Sequence, residues 1–326
     1  MIRDHRPQAA NAPERRLREL LAWAWKRSPF YRAIYADHGI RQQDLSAIAL
    51  EELPVVSKAD LMVRFDEAVT DPRLTKGDLE RWLRNDVDPL NLYLDEYILV
   101  HGSGGTKIYS YVPYTREAWR RISATTAPLL LPLDQGLASP IRTAFYFWTE
   151  GHYVGATSAR LASQQAHEVM SLSVFDPVEE VCARLNAFQP ERLNSYASTL
   201  AWLVEWSRQG RLRIAPRAVL ASGERLTPPI RAAVRAAWNA DIYDLYGACE
   251  SVCMAVQRPG DEEYGVLTDL NLLEVVDGAN RSVASGSRGR VLLTSFVNRT
   301  LPIIRFDLHD YAILGKAAMG IKRDLM

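Results

Sequence analysis

Two stretches of the chain hold residue types that can do chemistry at close spacing. In IYDLYGACES, residues 242–251, an acidic side chain, Glu250, stands just past an apolar and aromatic run. The pattern of 242–246 predicts a buried strand. Gly247 breaks it, and a helix can begin near Glu250. A carboxylate beyond the carboxyl end of a parallel strand can hold a divalent cation against a polyphosphate. It can equally do no more than favour a helix N-terminus. In HGSGGTKIYSY, residues 101–111, three glycines accompany Ser103, Thr106 and Lys107. Such a loop can turn its amide hydrogens toward an anion. A plain hairpin turn between the apolar runs 97–100 and 108–114 is the other reading. Neither the Gly-Lys-Ser/Thr end of a Walker loop nor the Gly-x-Gly-x-x-Gly of a dinucleotide fingerprint is present, which disfavours a Rossmann dehydrogenase.

The elements around these stretches bring them together. From residue 141 strands and helices alternate, with strands at 141–148, 193–196, 218–221 and 242–246. Helices open at Asp176-Pro177, Ser198 and Thr227-Pro228, the cap-then-proline order in two of the three. This order predicts a parallel sheet with right-handed crossovers, whose strands end on one edge. Tyr196, Ser222-Gly223-Glu224 and the 247–250 segment then converge. After Pro259, strand-like runs at 265–276, 289–297 and 302–306, with turns at Asp277-Gly278 and Ser285-Gly286, predict antiparallel pairing. Ahead of the sheet, residues 14–38 read as helix with a restart at Pro29, and Ser57-x-x-Asp60 is a capping box. The expected fold class is α/β: a mostly parallel sheet flanked by helices, with a smaller antiparallel β-rich subdomain. Residues 1–95 form a helical lead-in without visible chemistry, 96–258 the α/β region, 259–314 the β-rich part, and 315–326 a tail.

Composition narrows the function classes. The 326 residues carry 39 basic and 39 acidic side chains, a formal net charge of zero. Nucleic-acid binding has no electrostatic footprint. The three cysteines, Cys182, Cys249 and Cys253, read as reduced thiols of a cytoplasmic protein, and without nearby histidines they make no zinc site. The N-terminus lacks the apolar core of a signal peptide. The longest apolar run, 127–133, is too short to span a membrane and holds two prolines.

Taken together, these stretches resemble the adenylate-forming ligases, most closely their phenylacetate–coenzyme A ligase and CapK-like branch, from about Pro29 to Leu314. SPFYRAIYADHGI and LPVVSKADL resemble that branch's N-terminal phrases, and SGGTK falls at its phosphate loop. ASGERLTP resembles its Gly-Glu adenine loop, YDLYGACES its Tyr-Gly-x-Thr-Glu motif, and LPIIRFDLHD its Arg-Tyr-Asp-Leu-Gly-Asp phrase. The resemblance implies ATP, magnesium and coenzyme A as cofactors and a small carboxylic acid as substrate, activated as an acyl-adenylate. It implies that Ser103, Gly104, Gly105, Thr106 and Lys107 wrap the β- and γ-phosphates, with Thr106, Lys107 and Glu250 catalytic. By the same resemblance Gly223 and Glu224 line the adenine site. Asp244 accepts from the adenine amino group, Tyr246 with Gly247 packs on the ring, Asp310 binds the ribose and Glu250 holds magnesium. Tyr146, Trp148, Tyr153 and Tyr196 are candidates for a flat acid pocket, although aromatic residues at strand ends are more often core. The chain departs from the family at Cys249, where a Thr is usual, at His309, where a Gly is usual, and at Lys107, outside the Gly-Lys order. It departs again after Leu314, where KAAMGIKRDLM resembles nothing in the family's mobile lysine-bearing subdomain. The expectation is a ligase that is slow alone and depends on a separate subdomain or a dimer partner. The alternatives are a non-catalytic nucleotide- or acyl-binding protein and a truncated remnant.

Overall fold

The computed structural model describes residues 12–102, 108–134, 140–162, 166–315 and 320–323. Helices α1 (Ala12–Arg27) and α2 (Pro29–Asp37) meet at Ser28. There Ser28 Oγ accepts from the Tyr31 amide, and Pro29 takes a first-turn position whose N–H would have no helical partner. The capping box opens α3 (Lys58–Val63) as expected, with Ser57 and Asp60 satisfying each other's amides. Two further helices, α4 (Phe65–Ala68) and α5 (Lys76–Asn85), complete this layer. Strands β1 (Tyr97–His101) and β2 (Tyr111–Thr115) form a separate antiparallel hairpin, with His101 and Tyr111 paired at its tip. Helix α6 (Arg116–Asp134) follows.

The expected alternation then runs β3 (Ile141–Phe147), α7 (Val154–Arg160), β4 (His167–Ser173), α8 (Val178–Phe188), β5 (Arg192–Ser195), α9 (Ala197–Arg208), β6 (Ala218–Ser222), α10 (Pro228–Trp238) and β7 (Asp241–Ala248). The strands lie in the order β4-β3-β5-β6-β7, all parallel. Two differences from the sequence reading stand out here. Strand β4 is an edge strand with only Leu172 buried, so it carries little hydrophobic signal. Tyr196, not Ser198, is the N-cap of α9.

Beyond β7 no helix begins. Cys249 and Glu250 make a tight turn, and β8 (Ser251–Gln257) returns antiparallel. Gly247 sits at the bulge of this pairing, where a Cβ would collide with the Val252 carbonyl. Glycine therefore lets the two strands close, and the helix-start reading of Glu250 falls. The sheet continues through β9 (Tyr264–Val266), β10 (Asn271–Val276), β11 (Arg288–Ser295), β12 (Ile303–Leu314) and β13 (Gly320–Arg323). The expected strand 265–276 is split in two, and the one at 302–306 runs on to Leu314. Residues 320–323, expected as tail, form a strand inserted between β12 and β9. The result is one eleven-stranded sheet, parallel from β4 to β7 and antiparallel from β7 to β10, beside the two-stranded hairpin.

Two apolar clusters hold the layers. One packs α1–α4 and the hairpin against the antiparallel half, and the other packs α8–α10 against the parallel half. Among the described residues no helix is long and apolar enough to cross a membrane.

Candidate active site

Glu250 occupies the seam where the sheet changes from parallel to antiparallel. It is 3% exposed. Its Oε1 accepts from Ser110 Oγ at 2.7 Å and faces Lys58 Nζ at 3.7 Å, while Oε2 accepts from Cys249 Sγ at 3.1 Å. Burial first, then the adjacent Glu250 charge, pushes the Cys249 thiol well above its usual range, so it stays protonated and can donate. Tyr114 OH donates to the Cys249 carbonyl at 2.7 Å and fixes the turn from below. Gly102 and Ser110 are joined by a Gly102 N to Ser110 O bond of 3.1 Å, and a Cβ on Gly102 would lie 3.4 Å from Cys249 Sγ. Both ends of the glycine stretch are thus seated on the Glu250 turn. Ser103, Gly104, Gly105, Thr106 and Lys107 lie outside the described residues.

Lys58 reaches Glu250 because the N-terminal layer is pinned to β12. Val56 N donates to Arg305 O, and Asp307 N donates to Val56 O, at 3.0 and 2.9 Å. Arg305 is 1% exposed. Its Nε donates to both oxygens of buried Glu274 at 3.2 and 3.1 Å, and its other nitrogens donate to the carbonyls of Glu51, Leu53 and Asn280. This lock places the first turn of α3 over the seam.

The nucleotide-side residues are distributed less evenly. Gly223 has φ +76°, and a Cβ there would come within 3.0 Å of the Tyr196 ring, so glycine permits both the turn and the ring's approach. Glu224 accepts from Ser198 N at 2.7 Å and Ser198 Oγ at 3.0 Å, tying down the first turn of α9. Asp244 is fully buried, with Tyr264 OH donating to Oδ2 and Arg231 3.7 Å away. Tyr246 is also buried in the apolar cluster, so its ring offers no open face. Its hydroxyl donates to Asp310 Oδ2 at 2.6 Å. Asp310 is half-buried and follows His309, which takes the left-handed conformation, φ +59°, that the usual glycine would adopt easily.

Of the aromatic candidates, Tyr146 is a correction. It is 1% exposed and packs near Trp206 in the cluster beneath α8–α10, so it lines no pocket. Trp148, by contrast, is 39% exposed and lies between Tyr153 and Phe175, at ring-centroid distances of 5.1 and 4.8 Å. Tyr153 is 4.2 Å from the His101 ring, and Tyr196 stands edge-on to Phe147 at 4.7 Å. An aromatic ledge therefore runs from His101 at the hairpin tip to Phe175. Lys58, Ser110 and His101 join the candidate site without having been singled out in the sequence. Ser110 and His101 lie within the glycine-rich phrase, whereas nothing local to Lys58 signals its partner.

No protein-family model matches the chain, and no curated protein matches it. Solved structures do. An open conformation of 2-hydroxyisobutyryl-CoA ligase, in complex with 2-HIB-AMP and CoA, matches with a TM-score of 0.78 at 19% identity, over 98% of this chain and 69% of that one. The fold is that of the N-terminal domain of adenylate-forming ligases. The Klebsiella oxytoca NpsA N-terminal subdomain, in complex with 3-hydroxyanthranilyl-AMSN, matches at TM-score 0.54 and 14% identity, over 71% of this chain and 62% of that one. McyG A-PCP, complexed with phenylalanyl-adenylate, matches at 0.54 and 13%, over 74% and 42%.

Proposed function

We propose that this chain activates a small carboxylic acid with ATP. The carboxylate attacks the α-phosphate and pyrophosphate leaves; a thiol, that of coenzyme A, then attacks the acyl carbon of the acyl-adenylate, forming the thioester and releasing AMP. The observation that carries the reading is the constellation at the seam: Glu250 held by Ser110 and Cys249, Lys58 beside it, and both ends of the glycine stretch seated above. Negative charge builds on the phosphoryl oxygens in this reaction, and preorganised cations there supply much of the stabilisation. Lys58 is one such cation. Among the described residues no group of three or more metal-ligating side chains exists. Magnesium commonly takes one or two protein carboxylates and completes its shell with phosphate oxygens and water, so Glu250 fits it. Bound there, magnesium would neutralise charge on the phosphates. Asp310 accepts from the ribose hydroxyls, and Gly223 with Tyr196 forms the shelf for the adenine.

The ledge of His101, Tyr153 and Trp148 favours a flat, aryl-type acid, in keeping with the phenylacetate–coenzyme A ligase branch and a cytoplasmic supply of ATP and coenzyme A. A single described lysine faces Glu250, so turnover by this chain is slow, and a second cation from a separate subdomain or dimer partner raises it. A second reading, nucleotide binding without turnover, is favoured by the ion pair that already places Lys58 on Glu250.

The test combines ATP calorimetry with acid-dependent ATP–pyrophosphate exchange over aromatic and alkyl acids. Acid-dependent exchange, slow or at ordinary rates of about 1–10³ per second, supports activation. ATP binding with no exchange for any acid supports the second reading. Absence of both binding and exchange sinks the two together.

A further inference from the structure

Three guanidinium groups converge on a cleft at the other end of the β1–β2 hairpin. The cleft has a volume of about 500 Å³ and is lined by Trp23 and Arg27 of α1, Arg121 of α6, Arg299 in the turn after β11, and Tyr97 and Thr115. Tyr97 pairs with Thr115 at the hairpin's open end, and His101 with Tyr111 at its tip. Four strand residues at about 3.3 Å each put the cleft on the order of 13 Å from the Glu250 side.

The charges in this cleft are poorly matched. Arg27 and Arg299 lie over the Trp23 ring, 4.9 and 5.5 Å from its centroid, and Trp23 Nε1 donates to the Arg299 carbonyl at 3.0 Å. Asp71, also at the wall, is taken by Arg73 and by the Tyr97 hydroxyl. Arg299 has Glu19 at 3.5 Å, an exposed pair of small energetic worth. Glu117 is the remaining acidic lining residue. Among the described residues Arg27 and Arg121 form no ion pair with a carboxylate, and Arg121 donates only to the Asp269 carbonyl, at 3.1 Å. Lost hydration at the cleft wall and the neighbouring Arg16 and Arg299 charges push the exposed Arg121 guanidinium below its usual range, an unfavourable field that Asp269 and Glu19 only partly offset. An anion entering the cleft relieves that repulsion.

The chemistry of the anion follows from the donors. A guanidinium presents a planar fork that matches phosphoryl or carboxylate oxygens. Three forks on one cleft exceed the charge of a single carboxylate. Trp23 already carries guanidiniums on its ring, so charge rather than base stacking governs recognition. We propose that this cleft binds a polyphosphate anion, free or carried by a nucleotide, at a site separate from the Glu250 seam and independent of the function proposed above.

The experiment titrates inorganic pyrophosphate into the full chain by calorimetry, with tryptophan fluorescence read in parallel. A Glu250→Gln, Lys58→Ala background weakens binding at the seam. Saturable binding is expected in that background. Arg27→Ala with Arg121→Ala should weaken it at least about tenfold, the usual scale for charge-assisted hydrogen bonds. Arg121→Lys should fall between, and Trp23→Phe should remove the optical response. ADP binding more tightly than pyrophosphate would assign a nucleotide as the source, and equal binding the free anion. Adenosine binding as tightly as ADP would overturn the proposal. So would an affinity unchanged by the arginine variants in chains that melt like the parent.

Discussion

Two buried glutamates, Glu274 and Glu250, face cations in this molecule, and their surroundings differ in kind. Glu274 receives Arg305 on both oxygens, and Arg305 spends its remaining donors on three backbone carbonyls. Burial pushes the Glu274 carboxyl upward and Arg305 pulls it back, and the pair is closed to any further partner. Glu250 has a hydroxyl, a thiol and a lysine held at 3.7 Å, too long for a direct hydrogen bond. The first arrangement is saturated and structural. The second keeps a cation and a carboxylate close without committing either, which suits a ligand that brings its own charge. A buried ion pair is therefore read by how fully its donors are used.

The sharpest way to break this comparison is Arg305→Met. It leaves Glu274 buried without its cation and the Glu51 and Leu53 carbonyls without their donor, so denaturant titration should show a loss of about 3–5 kcal/mol. Adding Glu274→Leu should restore part of it. A loss under about 1 kcal/mol would show that the pair is not the lock described here. Asp310→Ala comes next. Losing a charged acceptor should weaken ATP binding by about 1.5–3 kcal/mol and pyrophosphate binding by much less. Equal losses for both ligands would reduce Asp310 to a partner of Tyr246.

Glu250→Gln should change stability by no more than about 1 kcal/mol, since an amide still accepts from Ser110. It should nevertheless remove most of the magnesium-dependent part of ATP binding in calorimetry. A large stability loss would place Glu250 with Glu274 and end the contrast. The smallest effect is on pH. His152 is buried beside Trp82, with Asp86 at 3.5 Å, and next to it in the sheet bridge is His101. Burial holds both imidazoles below their ordinary pKa of about 6.5. Both stay neutral in the folded chain where the unfolded chain would already bind protons. Their contribution is complete above about pH 6.5 and is lost as pH falls toward the depressed folded values. Thermal melts between pH 7.5 and 5 should decline gently, and His152→Phe should flatten the curve. An unchanged slope in that variant would clear His152 of the effect.

The parallel half was legible because its helices carry caps and periodic apolar faces, as at Thr227-Pro228 and along Val234 and Trp238. The approach of Tyr196 to Gly223 followed from that order alone. The helix start expected near Glu250 is absent. Glu250 stands in a hairpin turn, and only the packing of Gly247 against Val252 makes that choice. Lys58 was invisible because its own neighbourhood is fully explained by a capping box, while its partner lies far along the chain. Tyr146 misled because an aromatic residue near a strand end carries no mark of the face it takes. Strand β13 gave no signal, since a four-residue strand is specified by its two neighbours more than by its own sequence.

That last strand has a consequence for how the molecule is made. Residues 320–323 follow in sequence every strand they join, yet they lie between β9 and β12 in the middle of the antiparallel half. Before residues 320–323 are made, the facing edges of β9 and β12 that they join lack this partner, each a template for a stray strand. The order of synthesis makes β13 a closing stitch. Until it is drawn in, the newborn protein is most exposed to pairing with its own kind.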